Sequence, residues 1–386
     1  MKIILSGGGT GGHIYPAVAV AEALRRRLGE GVEILFVGAE GKMEMEKVPA
    51  LGYDIVGLPV AGIQRKKLLK NITFPFKLMR SNSKARKVVK DFAPDAVAGF
   101  GGYASYPILR AAQKAGIPTL IQEQNSYAGV ANKKLAKRAR RICVAYDGME
   151  RFFPSGKIVF TGNPLRGNFC STAPRAEALT YFGLEEGRCT ILIVGGSLGT
   201  RTLNDMMKKW ADELGANPGV QVIWQTGKIY QREMEDFMRG RNYKNIWYGP
   251  FIDRMDYAYS AADVVISRSG AGTVSELCLQ GKAVIFVPSP NVAEDHQTKN
   301  AMALAEKEAA LMINDWMAAE DVIPTALALS ANGPKKLVLE ENIKKLGISD
   351  SADRVAGYII ELTEKLTASP DKIRKPGQVN NTRNNS

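Results

Sequence analysis

Two short apolar runs in this 386-residue chain end in glycines and then pass into helix-forming sequence. No other feature restricts the fold as much. The first run is Ile3-Ile4-Leu5-Ser6-Gly7-Gly8-Gly9-Thr10-Gly11-Gly12-His13, and the second is Ile191-Leu192-Ile193-Val194-Gly195-Gly196-Ser197-Leu198-Gly199. A buried parallel strand that delivers bare backbone to a helix N-terminus leaves N–H groups facing one point, where the helix dipole favours an anion. Each loop opens its own series of alternating strand-like and helix-like segments. The pair predicts an α/β protein with two Rossmann-like domains, parallel sheets in each, facing a shared cleft.

In the first half, Val32–Val37, Asp95–Ala98, Thr119–Ile121, Ile142–Val144 and Ile158–Phe160 read as buried strands, short and apolar. Tyr15–Leu28 reads as a helix with Pro16 in its first turn, where proline is tolerated. Thr161-Gly162-Asn163-Pro164 breaks the pattern, so a domain boundary is expected there. The pattern restarts with strands at Thr190–Val194, Val220–Gln225, Asn245–Tyr248, Val264–Ser267 and Ala283–Val287. Helices fall between them, the clearest at Glu294–Ala309, and a last one, Ser351–Leu366, follows a Gly-Pro-Lys-Lys segment. The expected domains are 1–162 and 163–345. The tail 369–386 is polar and is expected to be disordered.

Composition narrows the class. Hydrophobic residues at 45% and charged residues at 24% are ordinary for a globular protein. No apolar run approaches the ~18 residues of a bilayer span, and the apolar stretch at the N-terminus is too short for a signal peptide. The four cysteines, Cys143, Cys170, Cys189 and Cys278, lack metal-ligand spacing and lie in or beside apolar segments, which fits a reducing cytosol. The net charge of +13 asks for an anionic partner. Much of it is concentrated between Asp54 and Asp91, where ten Lys and Arg residues from Arg65 to Lys90 are interleaved with Leu68, Leu69, Ile72, Phe74, Phe76, Leu78 and Met79. Such a segment suits an anionic membrane surface; a core helix with a solvated basic face and a nucleic-acid patch are the other readings.

Three clusters carry chemistry. Gly7–Gly12 satisfies G-x-G-x-x-G, so a dinucleotide site has to be weighed, with Glu40 as the acidic residue that would meet a ribose. His13 follows the glycines, and an imidazole there can serve as a general acid or base; the alternative is a helix-start residue bonded to backbone. Arg268-Ser269-Gly270-Ala271-Gly272-Thr273-Val274-Ser275-Glu276 forms a second small-residue loop at a helix start. Glu276 lies one turn in, where its carboxylate can accept both hydroxyls of a ribose or can act as a helix cap. Glu294-Asp295-His296-Gln297-Thr298-Lys299-Asn300 crowds polar groups at the C-terminal end of a strand, where open α/β sheets bind ligands, and reads as a sugar site or a solvated helix start.

Together with Gly99-Phe100-Gly101-Gly102-Tyr103, Gln122-Glu123-Gln124-Asn125 and Gly162-Asn163-Pro164-Leu165-Arg166, these motifs stand in one order from Lys2 to about Leu366. In that order the sequence resembles the MurG family of bacterial N-acetylglucosaminyltransferases, within glycosyltransferase family 28. It departs from the commonest pattern at Tyr106 and His296. The resemblance implies the GT-B fold, with the last helix returning to the first domain. It implies inverting transfer of GlcNAc from UDP-GlcNAc to the C4 hydroxyl of lipid I, giving lipid II for peptidoglycan. Residue by residue, Glu276 would bind the ribose and Ile252 the uracil edge. Ser197, Ala271, Gly272, Thr273 and Val274 would hold the diphosphate, and Ser275 would also belong to the UDP-GlcNAc site. Gln297 and His296 would meet the GlcNAc, and Arg166 would lie near the nucleotide. Thr10, Gly11, Gly12 and Asn125 would complete the donor site, and the first glycine loop would also face the acceptor diphosphate. His13 is the base candidate, with Glu123 and Asn125 as alternatives. No Asp-x-Asp motif is present, so neither a metal nor another cofactor is expected. The implied location is peripheral, on the cytoplasmic face of the cell membrane, with other cell-wall synthesis proteins as partners and no nucleic acid. The rival readings are an NAD-dependent oxidoreductase, which leaves Arg268–Glu276 without a purpose, and a membrane-bound sensor that binds the sugar nucleotide without turnover.

Overall fold

The computed structural model describes residues 1–60, 74–166, 173–196 and 198–367. In chain order the first half is β1 (Lys2–Ser6), α1 (Gly11–Leu28), β2 (Glu33–Ala39), α2 (Glu44–Lys47), β3 (Asp54–Leu58), α3 (Phe74–Phe92), β4 (Ala96–Gly99), α4 (Ser105–Lys114), β5 (Thr119–Glu123), α5 (Val130–Ala136), β6 (Arg141–Val144) and β7 (Ile158–Phe160). The second half is α6 (Arg175–Tyr181), β8 (Cys189–Val194), α7 (Arg201–Ala216), β9 (Val220–Gln225), α8 (Gln231–Met238), β10 (Ile246–Gly249), α9 (Met255–Ala261), β11 (Val264–Ser267), α10 (Ala271–Gln280), β12 (Ala283–Phe286), α11 (His296–Ala305), β13 (Leu311–Met312), α12 (Ala318–Ala331), α13 (Gly333–Lys345) and α14 (Ser351–Thr367).

These form two sheets, ordered β3-β2-β1-β4-β5-β6-β7 and β10-β9-β8-β11-β12-β13. Every pairing in both is parallel. β1 and β8 are the strands from which each sheet is wound both ways. Helices cover both faces, so the inner strands are apolar throughout rather than alternating; Ile3, Ile4 and Leu5 are fully buried, as are Ile191, Leu192 and Ile193. The chain crosses between sheets after β7 and again before α14. On its return α14 packs Val355, Ala356 and Ile359 into the core formed by β1, β2 and α1.

Some elements differ from the sequence expectation. α1 begins at Gly11, not Tyr15, so Pro16 sits in the second turn and is buried there. The helix starts on its glycines because Thr10 is extended and its carbonyl, not its side chain, accepts the first helical bonds, from the His13 and Ile14 N–H groups. β3 and β13 are additional edge strands that the sequence pattern does not reveal: β3 carries Gly57 within its five residues, and β13 is two residues long. The expected helix Glu294–Ala309 is shorter at both ends. Glu294 and Asp295 adopt left-handed φ of 57° and 52°, so α11 starts at His296. It stops at Ala305, ahead of Glu308, which has φ of 50°. Gly333-Pro334 starts a helix, α13, with Asn332 accepting from the Lys335 N–H at 3.1 Å.

In the second half of α3, Ser81, Ala85 and Val89 are buried at four-residue intervals while Arg80, Arg86, Lys87 and Lys90 are exposed. In that half one face of the helix is buried and the opposite face is basic and solvated. Residues 61–73 of the basic segment, Cys170 and the tail 369–386 lie outside the described residues.

Candidate active site

Winding each sheet outward from an inner strand opens a crevice where neighbouring loops diverge, at the carboxyl ends of the strands. In the first sheet this point lies between β1 and β4, so the loop 7–10 faces the turn 100–103. In the second it lies between β8 and β11, so the loop 195–199 neighbours 268–270. Both glycine loops therefore stand where ligands bind in this architecture. α1 begins at the first of these loops and α10 at the loop 268–270, neither with a side chain capping it. Gly270 and Gly272 border open space, as does Gly9.

His13 is the third residue of α1. Its Nδ1 lies 3.0 Å from the Gly8 carbonyl oxygen and 3.2 Å from Thr10 Oγ1. A carbonyl only accepts, so this contact puts the ring proton on Nδ1 and leaves a lone pair on Nε2. Nε2 faces the turn after β4: a methyl group at Gly101, where φ is +90°, would stand 3.0 Å from it. Desolvation is the main cause that lowers the His13 pKa below its ordinary value; the Gly8 bond opposes it. The imidazole is thus neutral near pH 7.

The donor-side candidates gather around α10. Glu276 accepts from the Tyr259 hydroxyl at 3.1 Å. Burial raises its pKa to about 7, against the Tyr259 bond and the Arg166 charge. Arg166 in turn lies over the Tyr15 ring, 4.6 Å from its centroid, and so links α1 of the first sheet to Glu276 of the second. Ile252 is buried in the same core as Val274. Ser275 faces the domain junction, its Oγ donating to the Ala271 carbonyl and accepting from Asn163. His296 begins α11 and bears electrostatically on His13. Gln297 accepts from the Ser289 N–H at 2.9 Å, and its carbonyl accepts from Ser269 Oγ at 2.8 Å. Ser197 lies outside the described residues.

Glu123 is not placed to act as a base. It is 2% exposed and accepts from the N–H groups of Asn125 and Gly129 and from the Asn132 amide at 2.8 Å. Desolvation raises its pKa against those bonds. Its work is to fold the loop 123–132. Glu40 is likewise not turned to a ligand; it pairs with Lys84 at 2.8 Å.

The chain is 53% identical over 365 residues to a UDP-N-acetylglucosamine–N-acetylmuramyl-(pentapeptide) pyrophosphoryl-undecaprenol N-acetylglucosamine transferase of Parabacteroides distasonis, covering 94% of this chain and 99% of the relative. The transferase of the same name from Phocaeicola vulgatus is 54% identical over 367 residues, 95% of this chain and 97% of its own. Residues 3–144 match the glycosyltransferase family 28 N-terminal domain and residues 190–355 the family's C-terminal domain. The chain belongs to glycosyltransferase family 28. The crystal structure of Acinetobacter baumannii MurG has the same fold, with a TM-score of 0.74, 29% identity, and coverage of 93% of this chain and 99% of that one. The two-sheet architecture is the GT-B fold of these enzymes.

In this family 28 enzyme the two domains are joined by buried polar residues that in the sequence stand only as members of motifs. Asn300, fully buried on α11, accepts from Ser126 N–H at 3.0 Å and Ser126 Oγ at 3.1 Å. It donates to Asn125 Oδ1 at 3.1 Å and to the Ser269 carbonyl at 3.3 Å. Asn163 donates to the Gln124 carbonyl at 3.0 Å and to Ser275 Oγ at 2.9 Å, and accepts from Gln122 at 3.1 Å. Asn125 is therefore held by the opposite domain. Arg268 is a buttress: it donates to the Val287 carbonyl at 2.7 Å and pairs with Asp315, which also accepts from Thr202. Behind the junction lies a cavity of about 60 Å³ lined by Tyr146, Asn163, Ser275, Cys278 and Ile348. Among the described residues no cluster of metal-ligating side chains occurs.

Proposed function

We propose that this family 28 glycosyltransferase moves GlcNAc from UDP-GlcNAc to the C4 hydroxyl of the MurNAc in undecaprenyl-pyrophosphoryl-MurNAc-pentapeptide, with inversion at the anomeric carbon. The observation that carries the reading is the His13 ring: neutral, with Nδ1 committed to backbone and the Nε2 lone pair beside the bare backbone of Gly101. The acceptor hydroxyl gives its proton to Nε2 as its oxygen attacks C1 of GlcNAc, and UDP leaves from the opposite face. Charge developing on the β-phosphate is met by the N–H groups at the start of α10, where Gly270 and Gly272 let the diphosphate approach. Glu276 holds the ribose and Arg166 adds positive potential beside it. Ile252, Ser197 and the residues Ala271 to Ser275 line the nucleotide, and His296 and Gln297 meet the sugar. Thr10, Gly11, Gly12 and Asn125 complete the site from the first domain. The leaving group needs no metal in this account.

Because the acceptor is carried on a polyprenyl chain, the reading includes peripheral binding at the cytoplasmic face of the membrane through the segment Arg65–Lys90. Exposed Met79 and the basic face of α3 support it, and no described helix is long and apolar enough to cross a bilayer. The deciding experiment is transfer of labelled GlcNAc from UDP-GlcNAc to a lipid I analogue in the presence of EDTA. Product is expected with the chelator present. Binding of UDP-GlcNAc without product would favour the sensor reading, and loss of activity restored by magnesium would refute the metal-free step.

A further inference from the structure

Glu44 is a carboxylate with no access to solvent, at the first position of the four-residue helix α2. Nothing in its local sequence marks it. It reaches back across the end of β2 to accept from the Ala39 N–H at 2.9 Å and, through both oxygens, from the Gly9 N–H at 3.1 Å. The space it fills exists because Gly8 and Gly38 have no side chains; a Cβ on either would collide with it. Burying a carboxylate is costly unless it is hydrogen-bonded, so a residue held this way fixes the loop it binds.

The Gly9 N–H and the Gly8 C=O belong to one peptide group. Its N–H donates to Glu44, and its C=O accepts from His13 Nδ1–H. We propose that Glu44 is a positioning residue for the reaction, acting on His13 through the Gly8–Gly9 peptide as a carboxylate–peptide–imidazole relay. The inference rests on the reading of His13 as the base. A carboxylate on the N–H side polarises the peptide and makes its carbonyl a stronger acceptor. That holds the proton on Nδ1, turns the Nε2 lone pair toward the acceptor, and stabilises the imidazolium once Nε2 has taken the hydroxyl proton. Catalytic histidines are commonly oriented by a carboxylate bonded directly to the ring. Here one planar peptide is interposed, and the glycine loop thereby serves the base as well as the anion.

The groups that bear electrostatically on the ring are Glu44, from α2, and His296, from α11 across the crevice. The glycine loop and the turn after β4 present backbone to it. β5 runs into the neutral Gln124, which donates to the Phe100 carbonyl. Near Glu44, Glu40 is paired with Lys84 of α3. The charge on Glu44 raises the His13 pKa, opposing the desolvation that lowers it.

The test is nitrogen-15 NMR of the histidine rings, of which the chain has two, so a His296→Asn variant assigns the signals. In the full-length protein His13 is expected as the Nδ1–H tautomer. In Glu44→Gln its pKa is expected to fall further and the Nε2–H tautomer to gain population. kcat should drop about tenfold with the donor KM unchanged, the low end of what orienting partners are worth. In a His13→Ala background the same substitution should change kcat no further. A wild-type ring protonated on Nε2 overturns the relay without any variant, which covers the case of a Glu44→Gln protein that does not fold. A folded Glu44→Gln protein with unchanged tautomer and pKa overturns it too. If His13→Ala keeps wild-type kcat, the base assignment fails, while the NMR result still decides whether Glu44 governs the ring.

Discussion

Donor binding should be linked to proton release at Glu276. In the free protein burial holds this carboxyl at about 7, the Tyr259 bond and the Arg166 charge offsetting only part of the desolvation. To accept both ribose hydroxyls it has to be ionised, because a protonated carboxyl spends one oxygen as a donor. Binding therefore selects the ionised form and lowers the pKa in the complex. The sign follows: affinity is full where the free carboxyl is already ionised, above about pH 8, and falls as pH drops through 7. Each unit costs about 1.4 kcal/mol, or tenfold in Kd, down to the pKa of the complex. UDP-GlcNAc is the proper ligand, since its diphosphate diester does not titrate in this range, whereas free UDP does. Protonation of His13 works in the opposite direction, so the informative quantity is the difference between wild type and Glu276→Gln. Calorimetry in two buffers of different ionisation enthalpy should show uptake of protons by buffer near pH 7 for the wild type and little for the variant. At high pH the variant should bind more weakly by about 1–3 kcal/mol, the worth of hydrogen bonds to a charged group. Parallel Kd–pH curves for the two proteins would refute the reasoning and remove Glu276 from the ribose.

His13→Ala should lower kcat by about 10²–10⁴ at constant donor KM; because its pKa is lowered in the free protein, the acid limb of kcat/KM against pH should lie below 6.5, and a variant with unchanged kcat and acceptor KM contradicts a role in chemistry. Gly101→Ala should reduce kcat by crowding Nε2 and strain a backbone at φ +90°, measured by turnover and a melting curve together. Asn300→Ala, which strips partners from the buried Ser126 N–H and the Ser269 carbonyl, should cost about 2–4 kcal/mol, visible as a lower melting temperature, while donor KM rises because Asn125 loses its tether. Binding to anionic vesicles should weaken with added salt, since the charge contribution is screened over about 8–10 Å. Phe74→Ser with Phe76→Ser should weaken it at low salt as well; folded variants with undiminished vesicle binding would move the membrane site elsewhere.

The inner strands of both sheets could be read from the sequence, whereas the edge strands β3 and β13 and the strand order could not. β1, β8, β9 and β11 are legible because a strand buried on both faces in a parallel sheet must be apolar throughout. The two glycine loops are legible because only bare backbone permits the turn from such a strand into a helix. The first of those loops puts His13, and the small residues after β11 put the Gly270–Glu276 loop, at the carboxyl ends of strands, where such sheets open their crevices. What the sequence could not determine is which polar residues meet over long separations. Glu44 joins the loop at Gly9 across 35 residues, Asn300 joins Ser126 across 174, and Asn163 joins Ser275 across 112. No periodicity or propensity encodes such pairs, because each depends on how two sheets and their helices come to rest against each other. The one hint was negative: Gly8 and Gly38 lack side chains where a buried carboxylate needs room. The ring tautomer of His13 and the raised pKa of Glu276 were decided the same way, by burial and by hydrogen-bond partners that exist only once the chain has folded.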